Sequence, residues 1–421
     1  MRRALPFLTA ILTGLSLVQA QEVTTSPAST DYEELPQLKA SEILRENILN
    51  GPYHKVREEV TPSSGANHFS IYSDFGAFEA EGNEMLVRRI GEINALAKLK
   101  EVSRTDQYKQ ALVKAAKSPV AAAKQIVTDP VGTISNAPKG IMKFMNRAGQ
   151  TLKGIGQKQD SDKYQGSQVQ QMIGFTDTKR KAAISLGVDP YSSNAVLQRE
   201  LEGIAWASFA GNATFSLGTL PIGGGAGIAL TVTGTQGKLE DVLREKSPAE
   251  LKTMNRKALL AMGATGQEAD RFLGNDAFSP TAQTAFVLNL KSLDGVQNRR
   301  AFIRLAGETS TTEADAIFCV QTAALMSKLH NGEMPLSKIA LIGDFPICIA
   351  KDGTVMVALQ WDYAAWTPMA ERFVNSVQAS QNAPNASYLV ALSGVVSPRL
   401  RQELESRHFR VEDRVAPGPL K

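Results

Sequence analysis

Ser247-Pro248-Ala249-Glu250, then Thr265-Gly266-Gln267-Glu268, then Ser279-Pro280, then Ser310 with Glu313: residues 247–330 carry four helix starts in close succession. A Ser or Thr followed three residues later by Glu lets the hydroxyl and the carboxylate each take one of the N–H groups that a helix start leaves unpaired. Proline directly after the cap has a φ already suited to the first helical turn. The first helix should run to Met262 and close on Gly263, and the second should stop at Gly274. The fourth should reach about Leu329, with His330 as a cation at its C-terminal end. Short connections between capped helices predict a packed helical module.

Beyond that module the apolar period changes from helical to alternating. Ile339 to Ile342, Pro346 to Ala350 and Val355 to Gln360 read as strands, the last two joined by a turn at Lys351-Asp352-Gly353. Thr367-Pro368 opens a helix to about Val377, Tyr388 to Leu392 is a strand, Ser397-Pro398 opens a helix to Ser406, and Phe409 to Val415 returns as a strand. Strand, helix, strand in that order requires a parallel crossover. The predicted class is α+β, mainly α-helical: a capped helical module (161–330, including the run 203–237) followed by a small C-terminal α/β module (331–421) with a partly parallel sheet.

Towards the N-terminus, His68 to Tyr72 and Ala77 to Glu81 alternate around Ser73-Asp74-Phe75-Gly76, which predicts a hairpin. Asn83 should then cap a helix through Met85, Ile90, Ile93, Leu96 and Leu99, and a second should cover Asp106 to Lys117. These elements fall in a segment 63–160. Residues 21–62 hold Ser, Thr, Pro and acidic residues with few aromatics, the composition of a mobile tether, with a short helix over Ala40 to Asn50. Residues 1–20 have the three parts of a secretory leader: Met1-Arg2-Arg3, an apolar stretch from Ala4 to Val18, and small or aliphatic residues in Val18-Gln19-Ala20. Cleavage there would start the mature chain at Gln21 and place it in the periplasm or outside the cell.

With 43% hydrophobic and 21% charged residues the chain can bury a sizeable core. A formal charge of +4, lowered by two when Arg2 and Arg3 leave, gives no reason to expect a nucleic-acid partner. Two stretches are unusual. Between Lys109 and Lys158 there are nine Lys or Arg and one acid, Asp129. Lys139, Lys143, Arg147 and Lys153 fall on one side of a helical wheel, opposite Ile141, Met145, Ala148, Leu152 and Ile155, with Phe144 flanking the apolar stripe. Such a helix either lies on an anionic membrane surface or packs on the protein with its cationic face in water. From Gly203 to Gly237 there are 35 residues without a formal charge, broken by Pro221 and Gly223-Gly224-Gly225. That pattern suits a helical hairpin, buried in the fold or inserting into a membrane.

Chemistry-bearing motifs are scarce. Gly223, Gly224, Gly225 and Gly227 do not form a phosphate cradle, and no hydrolase, zinc or redox signature is present. The four histidines are far apart and lack carboxylates at ligand spacing, so neither a metal nor a cofactor is expected. In parallel sheets ligands bind beyond the carboxyl ends of the strands. That rule places Asp344, Asp362 and Ser393-Gly394 at such an edge, with Trp361 and Trp366 nearby, as weak catalytic candidates or as turn and cap residues. Cys319 and Cys348 are either a disulfide fastening the two modules or two separate buried thiols. Three functions are consistent with this reading: an exported, envelope-associated, non-catalytic protein touching a membrane or a protein partner; an exported hydrolase of a cell-wall polymer; and a pore-forming or membrane-lytic protein.

Overall fold

The computed structural model describes residues 32–117, 163–217, 236–332, 334–380, 386–415 and 418–421. The leader, the basic amphipathic stretch and most of the glycine-rich run therefore lie outside the described residues.

The first described elements build a sheet. Strand β1 (Leu38–Lys39) is followed by single-turn helices α1 (Ala40–Ile43) and α2 (Glu46–Leu49), then β2 (His54–Val56), β3 (Glu59–Ser63), β4 (Ala66–Ser73) and β5 (Gly76–Glu81). The path is β1-β3-β4-β2, with β5 also paired to β4, and every pairing is antiparallel. The β4–β5 hairpin turns on Asp74-Phe75, as its alternation predicts. The expectation of a mobile tether through Pro62 is corrected. Ala40, Leu44, Ile48, Val56 and Val60 are buried with Phe69 and Ile71 in one core. A sheet folded from very short strands can bury this apolar set although no single strand carries a long pattern. The last described residues meet it there: Leu420 is buried in the same core, Leu44 bridges Leu420, and Lys421 N–H donates to Ile43 O at 2.9 Å.

Helix α3 (Asn83–Arg104) packs on this sheet with one part and on α4 (Asp106–Lys117), α5 (Lys163–Ser185) and α6 (Ala195–Phe209) with the rest. Leu96, Leu99, Ala183, Leu186, Leu197, Leu201 and Ile204 form that helical core. Thus α6 packs on the helices before residue 160, whereas α5 bridges: it also contacts the helix at Gln236–Glu245 and places Ile184 in the core of the capped module. The first arm expected from Gly203 onwards is the end of α6, which stops at Phe209. Gly211 lies so close to α4 that a Cβ there would sit 2.3 Å from Ala111 O. No helix among the described residues is long and apolar enough to cross a membrane.

The capped module contains α7 (Gln236–Glu245), α8 (Pro248–Ala261), α9 (Gly266–Leu273), α10 (Pro280–Ser292), α11 (Arg299–Thr309) and α12 (Glu313–Asn331). Both predicted capping boxes form: Ser247 with Glu250, and Thr265 with Glu268. The fourth expected start shifts by two residues, because Thr312 caps α12 and pairs with Asp315. Helix α11 lies between the third and fourth of the expected starts without a capping signal of its own. Its N-cap Asn298 has φ +60° and makes no side-chain capping bond, so the usual sequence signal is missing.

The C-terminal sheet comprises β6 (Leu336–Ile342), β7 (Phe345–Ala350), β8 (Val355–Leu359), β10 (Tyr388–Leu392) and β12 (Phe409–Glu412), in the order β12-β10-β8-β7-β6. β8, β10 and β12 are parallel, whereas β6, β7 and β8 are antiparallel, which gives the partly parallel sheet expected from the crossovers. Side chains alternate between two cores. Met356, Ala358, Leu389 and Ala391 face the capped helices, whereas Val355, Val357, Leu359, Val390 and Leu392 face α13 (Pro368–Ala379) and α14 (Pro398–Ser406). Helices thus cover both faces, which is why β8 reads as an unbroken apolar run. A parallel pair, β9 (Tyr363–Ala364) with β11 (Val395–Val396), extends the carboxyl edge.

Candidate functional site

At the carboxyl edge, β8 ends at Leu359 and the chain continues through Gln360, Trp361 and Asp362; β10 ends at Leu392 and continues through Ser393 and Gly394. The structure brings these two exits together. Ser393 Oγ donates to Trp361 O at 2.9 Å, Gly394 N–H donates to the same oxygen at 2.7 Å, and Val395 N–H donates to Asp362 O at 2.9 Å. Gly394 is required by this contact, since a Cβ would fall 2.1 Å from Asp362 O.

The N-terminal sheet closes over this edge. Asp362 N–H donates to Gly65 O at 2.7 Å. Its Oδ2 accepts from Asn67 N at 3.0 Å and from Asn83 N at 2.9 Å, so one carboxylate oxygen ties the start of β4 and the first residue of α3 to the α/β module. Gln360 Nε2 lies 3.3 Å from Oδ1. The Asp362 residue is 3% exposed, and burial pushes its carboxyl up to about 6 even though the two N–H groups favour the ionised form. Gly65, at φ +86°, turns the chain against Trp361; a Cβ would meet the indole at 2.4 Å. Trp361 also packs edge-on against Phe345, with ring centroids 5.6 Å apart.

A second carboxylate reaches the edge from the first described residues. Glu33 Oε2 accepts from Trp366 N–H at 2.6 Å and from Ser397 Oγ at 2.6 Å, while Glu33 N–H donates to Trp366 O at 2.8 Å. Ser397 also caps α14 by accepting from Leu400 N. Arg407 stacks over Trp366, 4.6 Å from the ring centroid. Asp344 takes a different place, in the two-residue turn between Ile342 and Phe345, where it is exposed. Asp344 and Asp362 therefore differ in kind: one is in water, and the other is sealed under a sheet with its oxygens engaged by protein donors. That is a structural anchor and a turn, not a pair of carboxylates facing one crevice, and acid–base work on a shared substrate has no support from this placement.

The buried charge cluster around α3 has no local signature in the sequence. Arg88, Arg89 and Glu92 from α3 meet Asp189 and the 192–194 loop, Thr281 from α10 and Glu313 from α12. Arg88 Nη1 lies 3.2 Å from Glu313 and 4.0 Å from Asp189; Arg89 pairs with Glu92 at 2.7 Å. Glu92, fully buried, also accepts from Ser192 Oγ and from Asn194 Nδ2. Asp189 accepts from Thr281 Oγ1 at 2.6 Å and Tyr191 N at 2.8 Å, and burial raises its carboxyl above the ordinary value. These groups join three parts of the chain, and no local spacing announces that they will meet.

Cys319 and Cys348 are free thiols in this structure, both buried in the core between the capped helices and the sheet. The bridge expected as one alternative is not formed. Cys319 Sγ instead lies 3.6 Å from Ser310 Oγ, and burial pushes both thiols up to about 12. His330, expected as a cation at a helix end, accepts the Leu336 N–H on Nδ1 at 3.0 Å, and burial lowers its pKa, so it serves as a neutral acceptor. Lys139, Lys143, Phe144, Arg147 and Lys153 lie outside the described residues. Among the described residues no group of His, Cys, Asp or Glu is arranged to hold a metal ion. The chain matches no known family model, no curated protein and no solved structure.

Proposed function

We propose that this chain is an exported, envelope-associated protein without catalytic activity, which contacts an anionic membrane surface or an envelope protein through the basic stretch around Lys139, Lys143, Phe144, Arg147 and Lys153. One observation carries the reading. The carboxylate that stood closest to a hydrolase site, Asp362, uses its oxygens to hold the backbone of Asn67 and Asn83, and its neighbours Trp361, Ser393 and Gly394 are engaged by main-chain contacts. What remains of the chain's unusual chemistry is the excess of cations between Lys109 and Lys158 and the charge-free run 203–237. The leader pattern at 1–20 supports export, with Gln21 as the first mature residue.

Each basic residue at an anionic surface contributes about 1 kcal/mol, so the four on one helical face together supply roughly 4 kcal/mol at low salt. The test is sedimentation of the mature chain with phosphatidylglycerol vesicles and with phosphatidylcholine vesicles across a salt series. The expected result is binding to the anionic vesicles alone, weakening steeply as salt rises and mostly lost when Lys139, Lys143, Arg147 and Lys153 are changed to Gln. Equal partitioning onto both vesicle types, or none onto either, would overturn the membrane contact.

A further inference from the structure

The edge of the N-terminal sheet has an open strand. In the β4–β5 hairpin Ser73 and Gly76 flank a two-residue turn and exchange both backbone bonds, so alternation makes Ile71–Phe78 and Phe69–Ala80 the other hydrogen-bonded pairs. The N–H of Gly82 donating to Asn67 O continues the same series. It follows that Ala77, Glu79 and Glu81 direct their backbone N–H and C=O groups away from β4. Among the described residues, no backbone bond outside the sheet pairing involves these three, and all three are exposed. The strand is six residues long with no proline, the features that leave an edge able to accept another strand.

The formal charges carried by β5 and its turn are all acidic. Asp74, Glu79 and Glu81 are exposed carboxylates that join no ion pair among the described residues, although Glu79 accepts from Ser70 Oγ at 3.0 Å. The cations on this part of the sheet, Lys55 and Arg57, lie on the far side of β4, Arg57 paired with Glu59, and His68 of β4 stands opposite Glu81. Glu79 and Glu81 share one face at the two-residue spacing of a strand, so an added strand would place alternate side chains beside them.

We infer that β5 is a docking edge for an extended cationic segment of a partner protein, one with Lys or Arg at alternate positions, which adds to the sheet as a strand beside Ala77, Glu79 and Glu81. Main-chain bonds supply the register and the carboxylates select the partner's charge. A second copy of this chain is disfavoured as the occupant, because pairing β5 with itself sets like charges against one another.

The probe is a capped hexapeptide of alternating Lys and Thr, with a Glu–Thr hexapeptide as its opposite, each added to the full chain. Amide hydrogen exchange in the fragment covering residues 76–81 is followed by mass spectrometry, alongside titration. Glu79→Pro deletes one outward N–H while leaving the hairpin bonds intact, because that donor does not point at β4. The double change Glu79→Lys with Glu81→Lys reverses the charge and keeps every donor. The expected result is slowed exchange in 76–81 with the Lys–Thr peptide, at least tenfold weaker binding by both variants, and binding of the Glu–Thr peptide by the charge-reversed chain. No slowing in the natural chain, or binding to Glu79→Pro as strong as to the natural chain, would overturn strand addition. If Glu79→Pro fails to fold, the charge-reversed chain and the exchange pattern decide: binding without slowed exchange at 76–81 also overturns it.

Discussion

Replacing Asp362 by Asn tests the anchor between the N-terminal sheet and the α/β module. The folded carboxyl is raised from 3.8 to about 6 because it is buried, and the two N–H groups it accepts only partly offset that burial. For an acid whose folded pKa is raised, the unfolded chain gives up its proton first. The folded state then binds more protons between the two values, so stability falls as pH rises from about 4 to about 6 and is flat above. A shift of roughly two units corresponds to about 3 kcal/mol. The amide of the Asp362→Asn variant would keep an oxygen for Asn67 N and Asn83 N but carry no charge. Its nitrogen would face Gln360, whose own amide can turn to accept. The natural chain should therefore lose about 3 kcal/mol relative to Asp362→Asn between pH ~3.5 and pH ~7, whatever constant offset the Gln360 contact adds. The assay is urea unfolding of both chains at half-unit pH steps, followed by tryptophan fluorescence, with the difference plotted against pH so that other titrations cancel. A difference that stays flat would refute the argument, since it would mean the folded carboxyl titrates as an ordinary one. Asp362→Ala, which leaves both N–H groups without an acceptor, should be about 2–6 kcal/mol less stable than Asp362→Asn at neutral pH.

Two other outcomes follow from buried groups. Arg88, 6% exposed between Asp189 and Glu313, should cost about 3–5 kcal/mol when changed to Met, because buried Asp189 loses the one cation it pairs with among the described residues, while Glu313 keeps Arg89 at 3.8 Å; chemical denaturation at neutral pH measures it, and a cost below about 1 kcal/mol would show the cluster to be hydrated. With both thiols pushed up to about 12 and buried, iodoacetamide at mildly alkaline pH should label neither Cys319 nor Cys348 in the native chain and both in urea without reductant; intact-mass analysis reads the count, and prompt native labelling would contradict the burial.

The parts of the fold that could be read in advance are those whose signals are local. Ser247 and Thr265 announce their helices because cap and carboxylate lie three residues apart, and the β4–β5 hairpin shows in alternation that needs only its own residues. Helix α11 is hidden because Asn298 enters it from a left-handed conformation and makes no side-chain cap. The first sheet is hidden because β1, β2 and β3 are too short to show a period, and their burial depends on Phe69, Ile71 and Leu420. The site region follows the same logic. Its place at the carboxyl edge of the parallel strands is topological and could be derived from strand order. What covers it could not, because Asp362 is bound by residues far earlier in the chain, at separations of 295 and 279. The buried cluster around Arg88 is of the same kind: its members are ordinary surface-type residues until α3, α10 and α12 are brought together.

The meeting of Leu44 with Leu420 sets a clock on synthesis. A ribosome adds about 5–20 residues each second, so residue 420 emerges on the order of 20–75 s after residue 44. During that interval the first sheet lacks a side chain from its core and the backbone partners of Ile43 and Arg45. Contacts so distant in sequence also form slowly once both ends are present. The first sheet thus cannot complete its core until the residues around Leu420 have been made, however early its own strands emerge.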